Sequence, residues 1–491
     1  MLHIKGIKNL DEIKELFTVE AKGSETILNV CERFFISTVT RRFETLKKQG
    51  YYPSDILKVL LYLPFLGVAT IRGLYQSGCA HISEAEKDVY YRLKNNSEVG
   101  WRTLLFAFAK RFRKVAEQRG STDTADSGTT KCLIVDDTTY PKTGMKLEFI
   151  GKVYDHIYKH WVLGFKSLVL AYWDGKSLIP LDFSLHHEKG KNKKRPYGLT
   201  PTQLKKRYRK KRTKKTPGAK RAAELSANKL NHAVKMIKRA VKHGFMVDYV
   251  LADCWFISQS FIASIRQIKR GVIHVLGTCR MDKRKYLFEG AEYTANELLN
   301  KFKGHKKRSR KVRALYVELL VEYKGLSVKL FFIRYAGQKK WKLLLTTDLN
   351  LTFNKAIEIY SHRWMIEVMF KEAKQYLNLG KSQANDFDSQ IADTSICMMQ
   401  YIALVLHKRF QAYESLGELF RANKQYFLEA TLAKRLWEFL LQVLREITAL
   451  FEIDFERLMA KIFNEKELEQ KIFRVIHALG QTSHSAVGLN R

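Results

Sequence analysis

Paired cysteines and long apolar runs are missing from this chain, and acidic side chains are in short supply. Cys31, Cys79, Cys132, Cys254, Cys279 and Cys397 show no Cys-x-x-Cys spacing. With no secretory leader in view, this argues against a disulfide scaffold or a zinc ribbon and predicts a reducing, cytoplasmic interior. The longest apolar run, Val59 to Ile71, is too short to cross a bilayer and contains Pro64, so it is expected to be a core helix, and no membrane segment is expected. No repeat of solenoid period is visible.

What is abundant is positive charge. The 491 residues carry 87 Lys and Arg against 49 Asp and Glu, a net charge of +38, while 46% hydrophobic content is enough for a sizeable core. Residues 1–120 hold net +7 and residues 386–491 net −1, which leaves +32 for the middle of the chain. A polyanionic partner is expected to meet the chain there. The densest stretch, 189–221, contains 16 Lys or Arg, three prolines and no acid, and reads as an extended or partly ordered basic loop suited to sequence-independent phosphate contacts.

The apolar pattern divides the chain. Residues 1–118 repeat at helical spacing, as in "LDEIKELF" and "WRTLLFAFAKRFRKVAEQ", and end at the polar stretch "RGSTDTADSGTTK". Then come a buried-strand run, "CLIVDD", and two apolar runs around Asp174-Gly175 that read as a hairpin. A helix leads into the strand "VDYVLAD", and residues 271–347 turn mostly β. From 390 to the end the chain is helical again, with almost no net charge.

One short segment stands out, "YSHRWMIEVMFKEAK" at 360–374. At about 100° per residue on a single helix, Tyr360, Arg363, Glu367 and Lys374 fall on one narrow stripe. At about 1.5 Å rise per residue the stripe runs roughly 21 Å, a length suited to following several phosphates. Acids also stand at strand ends: Asp136 or Asp137 after "CLIV", and Asp253 after "VDYVLA". Alone, each has an ordinary reading as a turn former, a helix cap or a solvated helix residue. Converging, three carboxylates completed by phosphate oxygens suit Mg²⁺, and a pair of such ions suits in-line phosphodiester chemistry.

The order Asp-Thr-Thr at 137–139, Asp-Cys-Trp at 253–255 and Tyr-x2-Arg-x3-Glu-x6-Lys at 360–374 resembles the DDE transposases of bacterial insertion sequences, in the cut-and-paste group with a Tyr-Arg-Glu-Lys helix. The resemblance covers about residues 130–380. It implies an α/β fold whose ribonuclease-H-like core is interrupted by a mainly β insertion and flanked by helical N- and C-terminal domains. The expected divisions are 1–120, possible end recognition; 131–270, the first part of the core, with the basic loop; 271–347, the insertion; 348–385, the core helix of Glu367; and 386–491, possible dimerisation.

The resemblance makes Asp137, Asp253 and Glu367 the catalytic, metal-holding triad for two Mg²⁺ ions, with Mn²⁺ able to substitute. Asp137 is preferred to Asp136 because it precedes Thr-Thr, although neighbours on a strand face opposite ways and only one should point inward. Tyr360, Arg363 and Lys374 are expected on DNA phosphates, joined by Lys205, Lys206, Arg207, Arg209, Lys210, Lys211 and Arg212 of the basic run. Trp341 is either the insertion tryptophan that stacks on a flipped base or a core aromatic. His186 and His187 are expected to be unliganded, and Cys79 and His81 structural.

The function implied is Mg²⁺-dependent cleavage at the inverted ends of an element and strand transfer into target DNA through a hairpin intermediate. A homodimer in a synaptic complex and a cytoplasmic, nucleoid-associated setting go with it. The alternatives are a nuclease on the same fold that cuts without joining, and a non-catalytic DNA-binding descendant.

Overall fold

In this computed structural model the described residues are 27–36, 39–40, 43–44, 50–77, 83–120, 129–410, 414–451, 453–455 and 457–458. The helix expected at "LDEIKELF", most of the polar stretch 119–131 and residues 459–491 lie outside them. The chain divides into compact units of residues 1–424 and 425–491.

After a short helical turn at Ile27–Val30 that runs into a π-helix at Cys31–Ile36, the first unit holds helices α1 (Pro53–Tyr62), α2 (Ile71–Gln76), α3 (Lys87–Asn95) and α4 (Trp101–Gly120). Pro53 starts α1, where its missing N–H costs nothing, and Thr70 caps α2 by accepting from the Gly73 amide. Four strands follow: β1 (Cys132–Pro141), β2 (Gly151–Asp155), β3 (His160–Trp173) and β4 (Leu178–His186). The turn between β3 and β4 is the expected one. Asp174 accepts the amides of Lys176 and Ser177, and Gly175 takes φ +103°, a conformation that favours glycine.

The basic stretch is more structured than an extended loop. It holds α5 (Pro201–Lys205) and opens α6 (Pro217–Glu224), each with proline in its first turn and a threonine cap, Thr200 and Thr216. Next come α7 (Lys229–Lys242), β5 (Tyr249–Ala252), α8 (Gln259–Arg266) and β6 (His274–Cys279). The β-rich part adds β7 (Lys285–Phe288), β8 (Ala291–Thr294), α9 (Ala295–Phe302), β9 (Lys307–Ser309), β10 (Ala314–Tyr323), β11 (Leu326–Tyr335) and β12 (Lys342–Thr346). Then follow α10 (Phe353–Ser361), α11 (Trp364–Tyr376), α12 (Phe387–Phe410) and α13 (Leu416–Leu450).

Among the described residues the twelve strands join one mixed sheet, in the order β2-β3-β1-β5-β6-β12-β11-β10-β7-β8, with β4 also on β3 and β9 on β10. β1, β5 and β6 are parallel, β1 with β3 and β3 with β4 antiparallel. β6 falls within 271–347 yet pairs parallel with β5, and β12 pairs antiparallel with β6, so the β-rich segment continues the same sheet. Helix α12 is buried along almost its whole length, from Phe387 to His407, and packs on α4 and β4. It presents no free face for a second subunit. Among the described residues no helix is long and apolar enough to cross a membrane.

Candidate active site

β1 runs Cys-Leu-Ile-Val through the core before reaching Asp136 and Asp137, and its pleat sends the two carboxylates to opposite faces. Asp136 shares its face with Thr138, against α11. One Asp136 oxygen accepts the Asp137 amide at 2.8 Å, and the other accepts from the Arg363 guanidinium at 3.0 Å. Arg363 also donates to Glu367 at 2.6 Å, and Lys374 donates to Thr138 at 2.7 Å. Asp253 directly follows β5, whose Ala252 pairs with Val135, so Asp253 and Asp136 leave neighbouring parallel strands at the same level. The Trp255 amide holds the Asp253 carboxylate at 3.0 Å.

The single helix expected over 360–374 is two helices. At the junction the bonds tighten to the i→i+3 pattern, from the His362 amide to Ile359 and from the Arg363 amide to Tyr360, and His362 stacks on Trp173 at 4.6 Å. The break lets neighbouring side chains reach different strands. The Tyr360 hydroxyl meets Thr278 of β6 at 3.0 Å, while Arg363 reaches Asp136 of β1.

The electrostatics are unbalanced. Burial, then the charge of Asp253, pushes the Asp136 carboxyl up to about 7, with Arg363 offsetting only part of the shift. Asp253 is also raised, first by burial. Lys374 is lowered by burial, and Tyr360 is raised by burial. A second cation would relieve both aspartates.

Asp137 faces the other side of the sheet. Lys229, at the start of α7, donates to it at 2.7 Å, and Lys166 of β3 lies 3.8 Å away and bonds to Thr139. Lys229 also sits 4.4 Å from the ring of Trp255, which is 42% exposed. Beyond Lys166, His186 is buried against Ser184 and lies edge-on to His232, and burial lowers both imidazoles, to about 3 and about 4. His187 meets Ser226 and stacks near Tyr197. Sequence reasoning missed Lys229, Lys166, Thr138, Thr278 and Trp255. Thr138 and Trp255 stood in the Asp-Thr-Thr and Asp-Cys-Trp runs without a role of their own, and the other three carried no local signal.

The basic run divides into free and consumed cations. Lys205, Lys206, Arg209 and Lys211 are exposed. Arg212 instead forks onto Glu148 at 2.7 and 2.5 Å and onto Asp388 at 3.0 Å, and Lys210 bonds to Asp386 and Asp388, each at 2.8 Å. Arg207 donates to the Ile150 carbonyl and lies 5.5 Å from the Tyr197 ring. Lys210, Arg207 and Arg212 therefore serve the fold in this arrangement. Trp341, just before β12, is half-buried beneath the Arg334 guanidinium at 5.3 Å.

The donors of the cluster are hard carboxylate oxygens, the chemistry that suits Mg²⁺, and Asp136 and Asp253 are both raised, first by burial, which disfavours their charged forms. Among the described residues, no three His, Cys, Asp or Glu side chains stand close enough to form a metal site. Arg363 stands between Asp136 and Glu367 instead.

Residues 219–416 match the sequence family described as "Archaeal putative transposase ISC1217", a DDE transposase family. The matched span includes Asp253 and both helices of the Tyr360–Lys374 segment, and stops short of β1. The family's description is archaeal, whereas the sequence resemblance was to bacterial elements. No curated protein matches the chain.

Proposed function

We propose that this chain is a DNA transposase that cleaves the ends of its element and joins them to target DNA, with Asp136, Asp253 and Glu367 as its acids. Asp136 takes the place that the Thr-Thr reading gave to Asp137. The observation that carries the proposal is Arg363, which gathers Asp136 of β1 and Glu367 of α11 beside Asp253 and within reach of Lys374. The strand order β4-β3-β1-β5-β6, antiparallel for the first pairs and parallel for the last, supports a ribonuclease-H-like core at 131–270 extended by β6.

Only once Arg363 releases Asp136 and Glu367 could the three acids close together to hold divalent cations such as Mg²⁺, which would supply activation of a water or DNA hydroxyl and neutralise the leaving oxygen. The protein's own groups do the positioning. Arg363 presents its guanidinium to Asp136 and Glu367 and can exchange a carboxylate for a phosphate oxygen without losing a charged partner, while Lys374 stands on Thr138, two residues further along β1. Tyr360, fixed by Thr278, orients the Arg363 side of the cleft; its ring lies 5.9 Å from that guanidinium. Trp341 and the exposed lysines of the basic run extend the DNA path. The N-terminal helices are assigned to end recognition and 425–491 to pairing of subunits in a synaptic complex.

The test uses Asp253→Ala and Glu367→Ala in the full chain, with duplexes built from the DNA flanking the gene. Both should lose Mg²⁺-dependent cleavage while retaining DNA binding, and wild type should join precut 3′ ends to a target plasmid. Undiminished cleavage by both variants would overturn the site; cleavage without joining would reduce the protein to a nuclease.

A further inference from the structure

The hairpin between β2 and β3 exposes Ile157 by 79%, Tyr158 by 71% and Trp161 by 55%, three large side chains within five residues. Single exposed apolar residues are ordinary, but a cluster on an edge hairpin invites association unless it has an occupant. This tip is held in shape. The buried Asp155 carboxylate accepts the amides of Ile157 at 2.9 Å and Tyr158 at 3.2 Å, and Tyr154 packs edge-on against Trp161 at 5.6 Å. Its exposed polar residues are Lys152, His156, Lys159 and His160, with no exposed acid among residues 151–161.

A cationic strip lies against the same hairpin. The Tyr154 amide donates to Glu188 at 3.3 Å, Gly198 packs on the Lys152 side chain, and the Tyr197 amide donates to the Lys189 carbonyl at 2.8 Å. Between these anchors Lys189, Lys191, Lys193, Lys194 and Arg195 are all exposed. Apolar side chains at a rigid tip, ringed by cations, have the composition of a wedge that enters a base stack while lysines hold the flanking phosphates. A second copy of this chain is a poor occupant, because both partners would bring the same positive surface.

We propose that the 155–161 hairpin tip is a duplex-DNA-binding wedge, with Ile157 and Tyr158 inserted at a base step and the 189–195 strip on the adjoining phosphates. The proposal rests on the DNA-cleaving reading for its placement. β3 pairs Val169 with Asp136 and then runs on beyond Pro141, the end of β1, to pair with β2. From Val169 to His160 is nine residues, roughly 31 Å at about 3.4 Å per residue. That reach equals about nine base pairs of B-DNA at about 3.4 Å each. A duplex cut at the acid cluster is thus met again, by the wedge, less than one helical turn away.

The experiment measures binding of the full chain to a labelled 30-base-pair duplex across a salt series, with 2-aminopurine replacing the adenines of one strand in a parallel probe. Ile157→Ser with Tyr158→Ser should weaken binding about tenfold at every salt concentration with the salt slope unchanged, and should abolish the 2-aminopurine brightening seen with wild type. Tyr158→Phe should keep both signals. Replacing Lys191, Lys193 and Lys194 by alanine should instead make the salt slope shallower by about 3.

Unchanged affinity and brightening in the serine pair would overturn the wedge. So would loss of a sedimenting dimer, or of binding to phosphatidylserine vesicles, with DNA affinity intact. Asp253→Ala, run alongside, should brighten the probe as wild type does. If wild type fails to cleave while brightening still requires the hairpin, the catalytic reading falls and the wedge stands.

Discussion

Asp182 on β4, buried, and Asp136 on β1, half-buried, are aspartates of the same sheet, and their surroundings drive them in opposite directions. Burial alone would raise Asp182, but Arg102, Arg239 and Arg221 overcome it and hold the carboxyl down at about 2. Arg102 and Arg239 bond to it directly, at 2.8 and 3.0 Å, and Arg221 lies 3.7 Å away. Those arginines come from α4, α7 and α6, so one carboxylate ties three helices to the sheet. Asp136 has one guanidinium, shared with Glu367, and a second aspartate as neighbour, and it is raised to about 7. A side chain whose charge is fully met inside the protein belongs to the fold; one left with a single shared guanidinium can take positive charge from outside.

The comparison can be broken at its satisfied end. Asp182→Ala leaves three arginines without their common anion, and we expect a loss of about 3–5 kcal/mol in urea unfolding. The unsatisfied end should respond in the reverse sense. Because the folded pKa of Asp136 lies above its unfolded value, the folded state binds the extra proton between about pH 4 and pH 7, and stability from this group is lost as pH rises through that window. Asp136→Asn removes that loss. Its Tm should exceed wild type at pH 8 and converge with it near pH 4, and Mg²⁺ at pH 8 should raise the Tm of wild type more than that of the variant.

The acid side supplies a smaller contrast. His186 and His232 have folded pKa values below their ordinary range, so the unfolded chain takes up protons first, and stability falls as pH drops below about 6.5. His186→Gln should flatten that decline in Tm between pH 6.5 and 4. The smallest change is expected from Arg239→Lys, about 1 kcal/mol, since two guanidiniums remain on Asp182 and only the fork geometry is lost.

Much of the site was legible because its residues sit at places where sequence pattern is strong. A four-residue apolar run ending in aspartate gives a buried strand with an acid at its end at Asp253, whereas β1 runs on past Asp136 to Pro141, so that acid lies in mid-strand instead of at the expected strand end. The choice within the Asp136–Asp137 pair was harder, because one residue of register flips the face and nothing local says which side α11 will cover. The role of Arg212 could not be read, since its partners Glu148 and Asp388 are distant in sequence. The helix starts at Thr200-Pro201 and Thr216-Pro217 were readable signals, masked by the lysines around them.

The pairing of β12 with β6 places Trp341 one residue ahead of a strand that is hydrogen-bonded to the strand carrying Thr278, the partner of Tyr360. The β-rich segment is therefore built as a cantilever on the central sheet, with no hinge of loose chain between β6 and β12. Repositioning Trp341 relative to Thr278 would require shearing a ladder of backbone bonds.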